Sequence, residues 1–223
     1  MHRQTLLLGV LVLCAIALGV IGYLYYSVPS AENLLPEAGK DRPNVTLVKD
    51  DRTVGNQNAP VLIVEYAALT CPHCAHFNDD TFPQLKAKYI DTGKVFYVFR
   101  VFPRMSLDLA GEALARCAPA ENYFKIIDLL FKNQLDWDPE FEPLNAHEGM
   151  LAIARTAGMN AKQADRCMQD KTQLERANRV GQDGEAKYGI TGTPTFIVNG
   201  KVHPGQYEWE DLQRDLDALL AKP

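Results

Sequence analysis

Hydrophobic and polar positions divide the chain into stretches of different character. Leu6 to Tyr26, LLLGVLVLCAIALGVIGYLYY, is an apolar run without a single charge. Residues 31–44, AENLLPEAGKDRPN, are polar and hold two prolines, the composition of a tether. Val45-Thr46-Leu47-Val48 predicts a short strand, and Gly55 to Pro60 (GNQNAP) a loop. Val61-Leu62-Ile63-Val64-Glu65-Tyr66 is nearly continuous and β-branched, the pattern of a strand buried on both faces. From Ala75 to Tyr89 the apolar residues Phe77, Phe82, Leu85 and Tyr89 fall at near-helical spacing, with a kink expected at Pro83 and an end at Gly93. Val95 to Phe102 is a second buried strand. Strand, helix and strand together predict a βαβ unit.

From Ser106 to about Lys187 the period becomes helical. Leu107, Ala110, Ala113, Leu114 and Cys117 form one stripe, and Tyr123, Ile126, Ile127, Leu130 and Phe131 a second. Met150, Leu151, Ile153 and Ala154 form a third, closed by Gly158, and a fourth lies around Ala164 to Met168. Strands then return. Thr195-Phe196-Ile197-Val198, Asn199-Gly200 and Lys201-Val202 read as a hairpin with a two-residue turn, and Trp209 to Leu220 as a closing helix. The divisions read from this pattern are 1–30 (N-terminal membrane anchor or signal segment), 31–44 (linker), 45–104 (first part of an α/β domain), 105–187 (all-helical insertion) and 188–223 (second part).

Composition narrows the classes. The 223 residues carry a formal net charge of −5, and before residue 31 the only charged residue is Arg3. No basic surface suited to nucleic acid is expected. The Val, Ile, Leu and Phe content is too high for disorder. The apolar N-terminal run exceeds the roughly 7–15 residues of a signal peptide core and matches the roughly 20 of a spanning helix. Tyr23, Tyr25 and Tyr26 suit an interfacial belt, and Arg3 favours a cytoplasmic N-terminus. The rival is cleavage near Ala31. In both readings the domain lies at the periplasmic or extracytoplasmic face, in an oxidising compartment. Cys14, inside the apolar run, is expected to be inert.

Thr70-Cys71-Pro72-His73-Cys74 follows the first buried strand directly. A c-type haem site needs His straight after the second cysteine, where Ala75 stands. A structural zinc site needs a second ligand pair, and neither Cys117 nor Cys167 belongs to one. Redox chemistry accounts for more of the neighbours. Pro72 suits the first turn of a helix, which places Cys71 at its N-terminus, where N–H groups and the helix dipole favour a thiolate. His73 adds positive charge when protonated, and Cys74 becomes the resolving thiol. Glu65 lies six residues before Cys71 in an apolar strand, where a carboxylate is costly unless it has a task, such as moving the Cys74 proton. Gly192-Thr193-Pro194-Thr195-Phe196 heads the hairpin. A cis Thr193–Pro194 bond there would present the Thr193 backbone to an extended peptide, whereas an ordinary trans proline at a turn is the plainer alternative.

VLIVEYAALTCPHC together with GTPTFIVNG resembles the DsbA-like branch of the thioredoxin superfamily, over about Val45 to Leu220. The resemblance implies an α/β thioredoxin-like fold with an inserted all-helical domain, here preceded by an N-terminal hydrophobic helix. It implies thiol–disulfide exchange on reduced exported proteins, with Cys71 as nucleophile, Cys74 resolving, Glu65 as buried acid and Pro194 as cis-proline after Thr193. It further implies reoxidation by a membrane quinone-linked partner of the DsbB type; no cofactor is expected, and no metal from the cysteine spacing. Thr193 departs from the Val of well-studied members and leaves oxidase, isomerase and reductase open; a redox-inactive peptide-binding chaperone is the reading from another class. With a tether in place of a dimerisation domain, a monomer is expected. Cys117 and Cys167 would pair in an oxidising compartment and close a loop of about fifty residues, worth roughly 4 kcal/mol; two separate buried thiols are the alternative.

Overall fold

The computed structural model describes residues 45–48, 50–141 and 145–221. The anchor, tether and Cys14 readings lie outside these residues. The chain from Asp41 to Pro223 forms one compact unit. Its centre is a five-stranded sheet in the order β1-β3-β2-β4-β5, built from β1 (Arg52–Gly55), β2 (Val61–Ala67), β3 (Val95–Val101), β4 (Thr195–Val198) and β5 (Lys201–Pro204). β2 and β3 are parallel, with Glu65 opposite Phe99; the other pairings are antiparallel, and β4 sets Phe196 opposite Glu65 on the other flank.

Every residue of β2 and β3 is buried, as two continuous apolar runs demand. One sheet face carries Ile63, Ala67, Tyr97, Phe99, Val101 and Phe196 into the main core, with Phe77, Leu114, Ile126, Leu130 and Leu216 from the helices. The opposite face carries Leu62, Val64, Tyr66, Phe96, Val98 and Ile197. Because successive strand side chains alternate, one strand feeds both cores.

A helical run joins β2 to β3: α1 (Pro72–His76), a π-helical turn (Phe77–Thr81), α2 (Phe82–Leu85) and a second π turn (Lys86–Ile90). The kink expected at Pro83 takes the form of this π turn. Proline lacks the N–H for an i→i−4 bond, and widening the preceding turn accommodates it. Between β3 and β4 lie α3 (Ser106–Cys117), α4 (Tyr123–Lys132), α5 (Gln134–Trp137), α6 (Ala146–Thr156), α7 (Ala161–Met168) and α8 (Lys171–Tyr188). α9 (Trp209–Leu220) closes the chain. The hairpin turn places Asn199 at φ 45° and Gly200 at φ 85°, the paired positive values an Asn-Gly turn adopts.

The structure departs from the pattern reading in two places. Val45 to Val48 is not a strand; Val45 and Leu47 pack on the second core without pairing, and the edge strand is Arg52–Gly55. Short, half-exposed edge strands carry little alternation to read. The eighteen-residue α8 also escaped the apolar count, because its buried face is Ala177, Gly181 and Gly184. These small residues let it lie close: a Cβ on Gly184 would stand 2.6 Å from the Tyr66 ring, and one on Gly181 2.7 Å from Pro103.

A disulfide joins Cys117 at the end of α3 to Cys167 in α7, across a sequence separation of 50. Replacing both cysteines with alanine is expected to lower unfolding free energy by up to about 4 kcal/mol through the released chain entropy. Urea titration at a fixed state of the other cysteine pair measures this; no change in midpoint would contradict it.

Candidate active site

The chain leaves β2 at Ala67 and passes through Ala68, Leu69 and Thr70, all fully buried, before reaching Cys71. A buried loop must have its backbone groups satisfied. Side chains from the chain between β3 and β4 satisfy them here. The Gln134 amide donates to the carbonyls of Leu69 (2.7 Å) and Cys71 (3.2 Å). Arg104 Nη1 donates to the Thr70 carbonyl (3.0 Å), and the Thr70 N–H donates to Asp108 Oδ1 (2.8 Å). Asp108 is itself held by the N–H groups of Arg104 and Met105 at the head of α3.

Cys71 is the N-cap of α1 and Pro72 its first helical residue. Cys71 and Cys74 are unlinked and both buried, but their acidities differ sharply. The Cys71 thiol is pushed down from 9.0 to about 5. The Cys74 thiol contributes most, donating to the Cys71 sulfur; burial opposes; the Thr193 hydroxyl and the backbone N–H groups of Cys74 and His73 add to the stabilisation. Cys74 moves the other way, well above its ordinary value, through burial, its bond to Cys71 and the neighbouring Glu65 and Cys71 charges. His73 therefore acts on the sulfur through its backbone N–H, and its side chain is exposed.

The Thr193–Pro194 peptide is cis. It brings the Thr193 carbonyl to 3.3 Å from Cys71 Sγ, which donates to it as a thiol. The Thr193 hydroxyl is buried without a hydrogen-bond partner, close enough to the same sulfur to favour its thiolate. Beside these residues opens a groove of about 690 Å³, walled by Cys71, Pro72, Phe102, Pro103, Gly192 and Thr193, among others.

Glu65 is 2% exposed, on the core face of β2. Its carboxyl is raised from 4.5 to about 8, chiefly by burial; the hydrogen bond from Tyr97 opposes this and the Cys71 charge adds to it. Tyr97 Oη donates to Glu65 Oε2, while Oε1 has no partner. Neither Lys86 in the flanking helical run nor Arg100 in the flanking strand pairs with it. Lys86 pairs with Asp91 at 2.6 Å, and Arg100 forms a buried pair with Asp51 at 2.7 Å on the opposite sheet face. Next to Glu65 lies a cavity of about 90 Å³ that reaches Asn78 and Asp128. It has room for about three waters.

The structure thus gathers Cys71, Pro72, His73, Cys74, Thr193 and Pro194 at one sheet end, sets Glu65 beneath Cys74, and places the Cys117–Cys167 bridge elsewhere. Tyr97, Gln134, Arg104 and Asp108 escaped sequence reading. Tyr97 passes for one more aromatic in a buried strand, and the other three sit in segments whose period reports only the core. Among the described residues, no cluster of three His, Cys, Asp or Glu side chains suits a metal, and no helix is long and apolar enough to cross a membrane.

The thioredoxin family model matches residues 47–218. A Rickettsia bellii protein named for protein-disulfide oxidoreductase activity is 32% identical over 191 residues, spanning 83% of this chain and 70% of that protein. A Bacillus cereus protein named for disulfide bond formation is 25% identical over 228 residues, 99% of each chain. Among solved structures, Wolbachia pipientis alpha-DsbA1 superposes with a TM-score of 0.72 at 28% identity, covering 80% of this chain and 95% of that one.

Two measurements check the electrostatics. Thiolate absorbance of the dithiol protein is expected to rise with a midpoint near pH 5 from Cys71, with no second step from Cys74 below pH 9; a single midpoint above 8 would overturn this. Glu65 titrates higher when folded than unfolded, so its contribution to stability is lost as pH climbs from 4.5 towards 8, because the unfolded state ionises first. Glu65→Gln removes that cost. The variant is expected to gain stability over the parent as pH rises, on the order of 3 kcal/mol at pH 7, and a pH-independent difference would refute the assignment.

Proposed function

Since the chain belongs to the thioredoxin family, as a DsbA-like protein-disulfide oxidoreductase, we propose that Cys71 and Cys74 are its redox pair and that it works as a disulfide donor. The observation that carries this reading is the asymmetry of the two thiols. A stabilised Cys71 thiolate favours the dithiol form, and by linkage the disulfide becomes the stronger oxidant.

The mechanism follows from the roles the geometry supports. A substrate thiolate attacks Cys71 Sγ of the Cys71–Cys74 disulfide. A substrate–Cys71 bond forms, and the electron pair of the broken bond leaves on Cys74. Cys74 is held well above its ordinary pKa, so it takes up a proton. Glu65, protonated at neutral pH, is the donor, and the adjoining cavity gives it a hydrated route for recovering that proton. The substrate's second thiolate then attacks its own sulfur in the mixed disulfide. Cys71 leaves as a thiolate already stabilised by N–H groups and the Cys74 thiol. Thr193 and Pro194 border the attacked sulfur and hold the substrate backbone.

The substrates in this reading are reduced proteins outside the cytoplasm, reached by a domain tethered through Leu6–Tyr26 or released after cleavage. A quinone-linked membrane protein of the DsbB type restores the disulfide. The relatives' names for disulfide bond formation support the direction.

Equilibration of the full chain with glutathione tests the direction. An easily reduced Cys71–Cys74 disulfide is expected, together with loss of dithiol-peptide oxidation in Cys71→Ser. A disulfide that glutathione leaves intact would mark a reductase instead.

A further inference from the structure

One charged pair stands in the wall of the groove beside Cys71. Arg104 Nη2 lies 2.7 Å from Glu140 Oε1, and the two side chains are 38% and 39% exposed. Arg104 Nη1 is tied to the carbonyl of Thr70, the residue before Cys71. Arg104 is thereby held against the redox loop, since swinging away would strand a buried carbonyl. Glu140 is held more loosely. It sits in a single 3₁₀ turn, Pro139–Phe141, and its carboxylate is engaged by Arg104 in an exposed ion pair, which is a weak interaction.

The surroundings give the pair its meaning. Apart from His73, the remaining wall residues Pro72, Phe102, Pro103, Thr191, Gly192 and Thr193 are uncharged. Two more carboxylates lie below the lip, and both are fully buried. Asp108 has its oxygens on the backbone of Thr70, Arg104 and Met105. Asp138 accepts the Glu140 N–H, and burial pushes its carboxyl up, towards the neutral form. Among the described residues that line the groove, Arg104 is therefore the one Lys or Arg, with one exchangeable partner.

We propose that Arg104 is a specificity-determining residue: it reads a carboxylate on the substrate peptide beside the reactive cysteine, which takes the place of Glu140 on the guanidinium. Arg104 offers a planar fork that suits a carboxylate. The exchange swaps one carboxylate for another, so it costs little, and it places the peptide over Cys71. This inference rests on the disulfide-exchange reading. In the reaction it selects, the peptide's two thiols give up two protons and two electrons as its disulfide forms, and the Cys71–Cys74 disulfide becomes two thiols.

The test uses the oxidised full chain in detergent and two dithiol peptides that differ only in Glu or Lys next to the first cysteine. At low ionic strength the Glu peptide is expected to react about three- to tenfold faster, the range of a weak exposed ion pair gained against one opposed. Molar salt should bring the ratio close to one. Arg104→Gln should equalise the peptides. Arg104→Gln also removes the bond to Thr70, so Glu140→Gln is the second variant; it keeps that bond and should widen the ratio in favour of Glu. Equal rates in the parent protein, or a faster Lys peptide that Glu140→Gln slows, would overturn the proposal. If the parent oxidises neither peptide, the disulfide-exchange reading fails first, and the proposal with it.

Discussion

A segment of buried backbone between β2 and α1 sets the terms for the rest of the molecule. Ala68, Leu69 and Thr70 are sealed from water, so their polar groups must find partners inside the protein. A strand that simply ended at the surface would have met water instead. Gln134 and Arg104 reach the carbonyls of Leu69, Thr70 and Cys71, and Asp108 takes the Thr70 N–H. All three come from the chain between β3 and β4. The helices there share the main core with the sheet and also hold the redox loop in shape.

With the loop held, the two thiols divide the labour. Cys71 meets N–H groups, a thiol and the Thr193 hydroxyl; Cys74 meets apolar side chains and the Glu65 carboxyl. Glu65 has no cation beside it among the ion pairs of the described residues, only the Tyr97 hydroxyl on one oxygen. Burial without a counter-charge keeps such an acid protonated. A protonated acid beneath a departing thiolate is in the right state to supply a proton in the proposed exchange, and a cavity of about 90 Å³ adjoins it.

Arg100 shows how a sheet with two buried faces separates charges that are close in strand register. It lies one residue beyond Phe99, which pairs with Glu65, yet it points to the other face, where Asp51, Tyr66 and the Thr46 carbonyl satisfy it. Strand alternation alone keeps the buried acid and the buried base apart.

Much of this was legible along the chain. Unbroken β-branched runs suit central strands, C-P-H-C after one of them suits a helix start with a thiol at its head, and Asn-Gly between apolar runs suits a hairpin; these are local rules, obeyed by neighbours in sequence. α8 was invisible to the same reading, because a helix that packs through Ala177, Gly181 and Gly184 advertises no apolar stripe. Tyr97 and Gln134 were invisible for a deeper reason. Their roles are defined by partners 32 and 65 residues away, Glu65 and Leu69, and nothing in the local period distinguishes them from ordinary core or surface positions. By itself the sequence indicated the βαβ unit, the helical stretch, the hairpin and the closing helix, and it singled out Cys71, Cys74 and Glu65 as candidates, since these readings rest on short-range sterics and burial. Only the tertiary structure decided which donors reach the Cys71 sulfur, what partners Glu65 and which cation stands at the groove, because those depend on how distant segments pack.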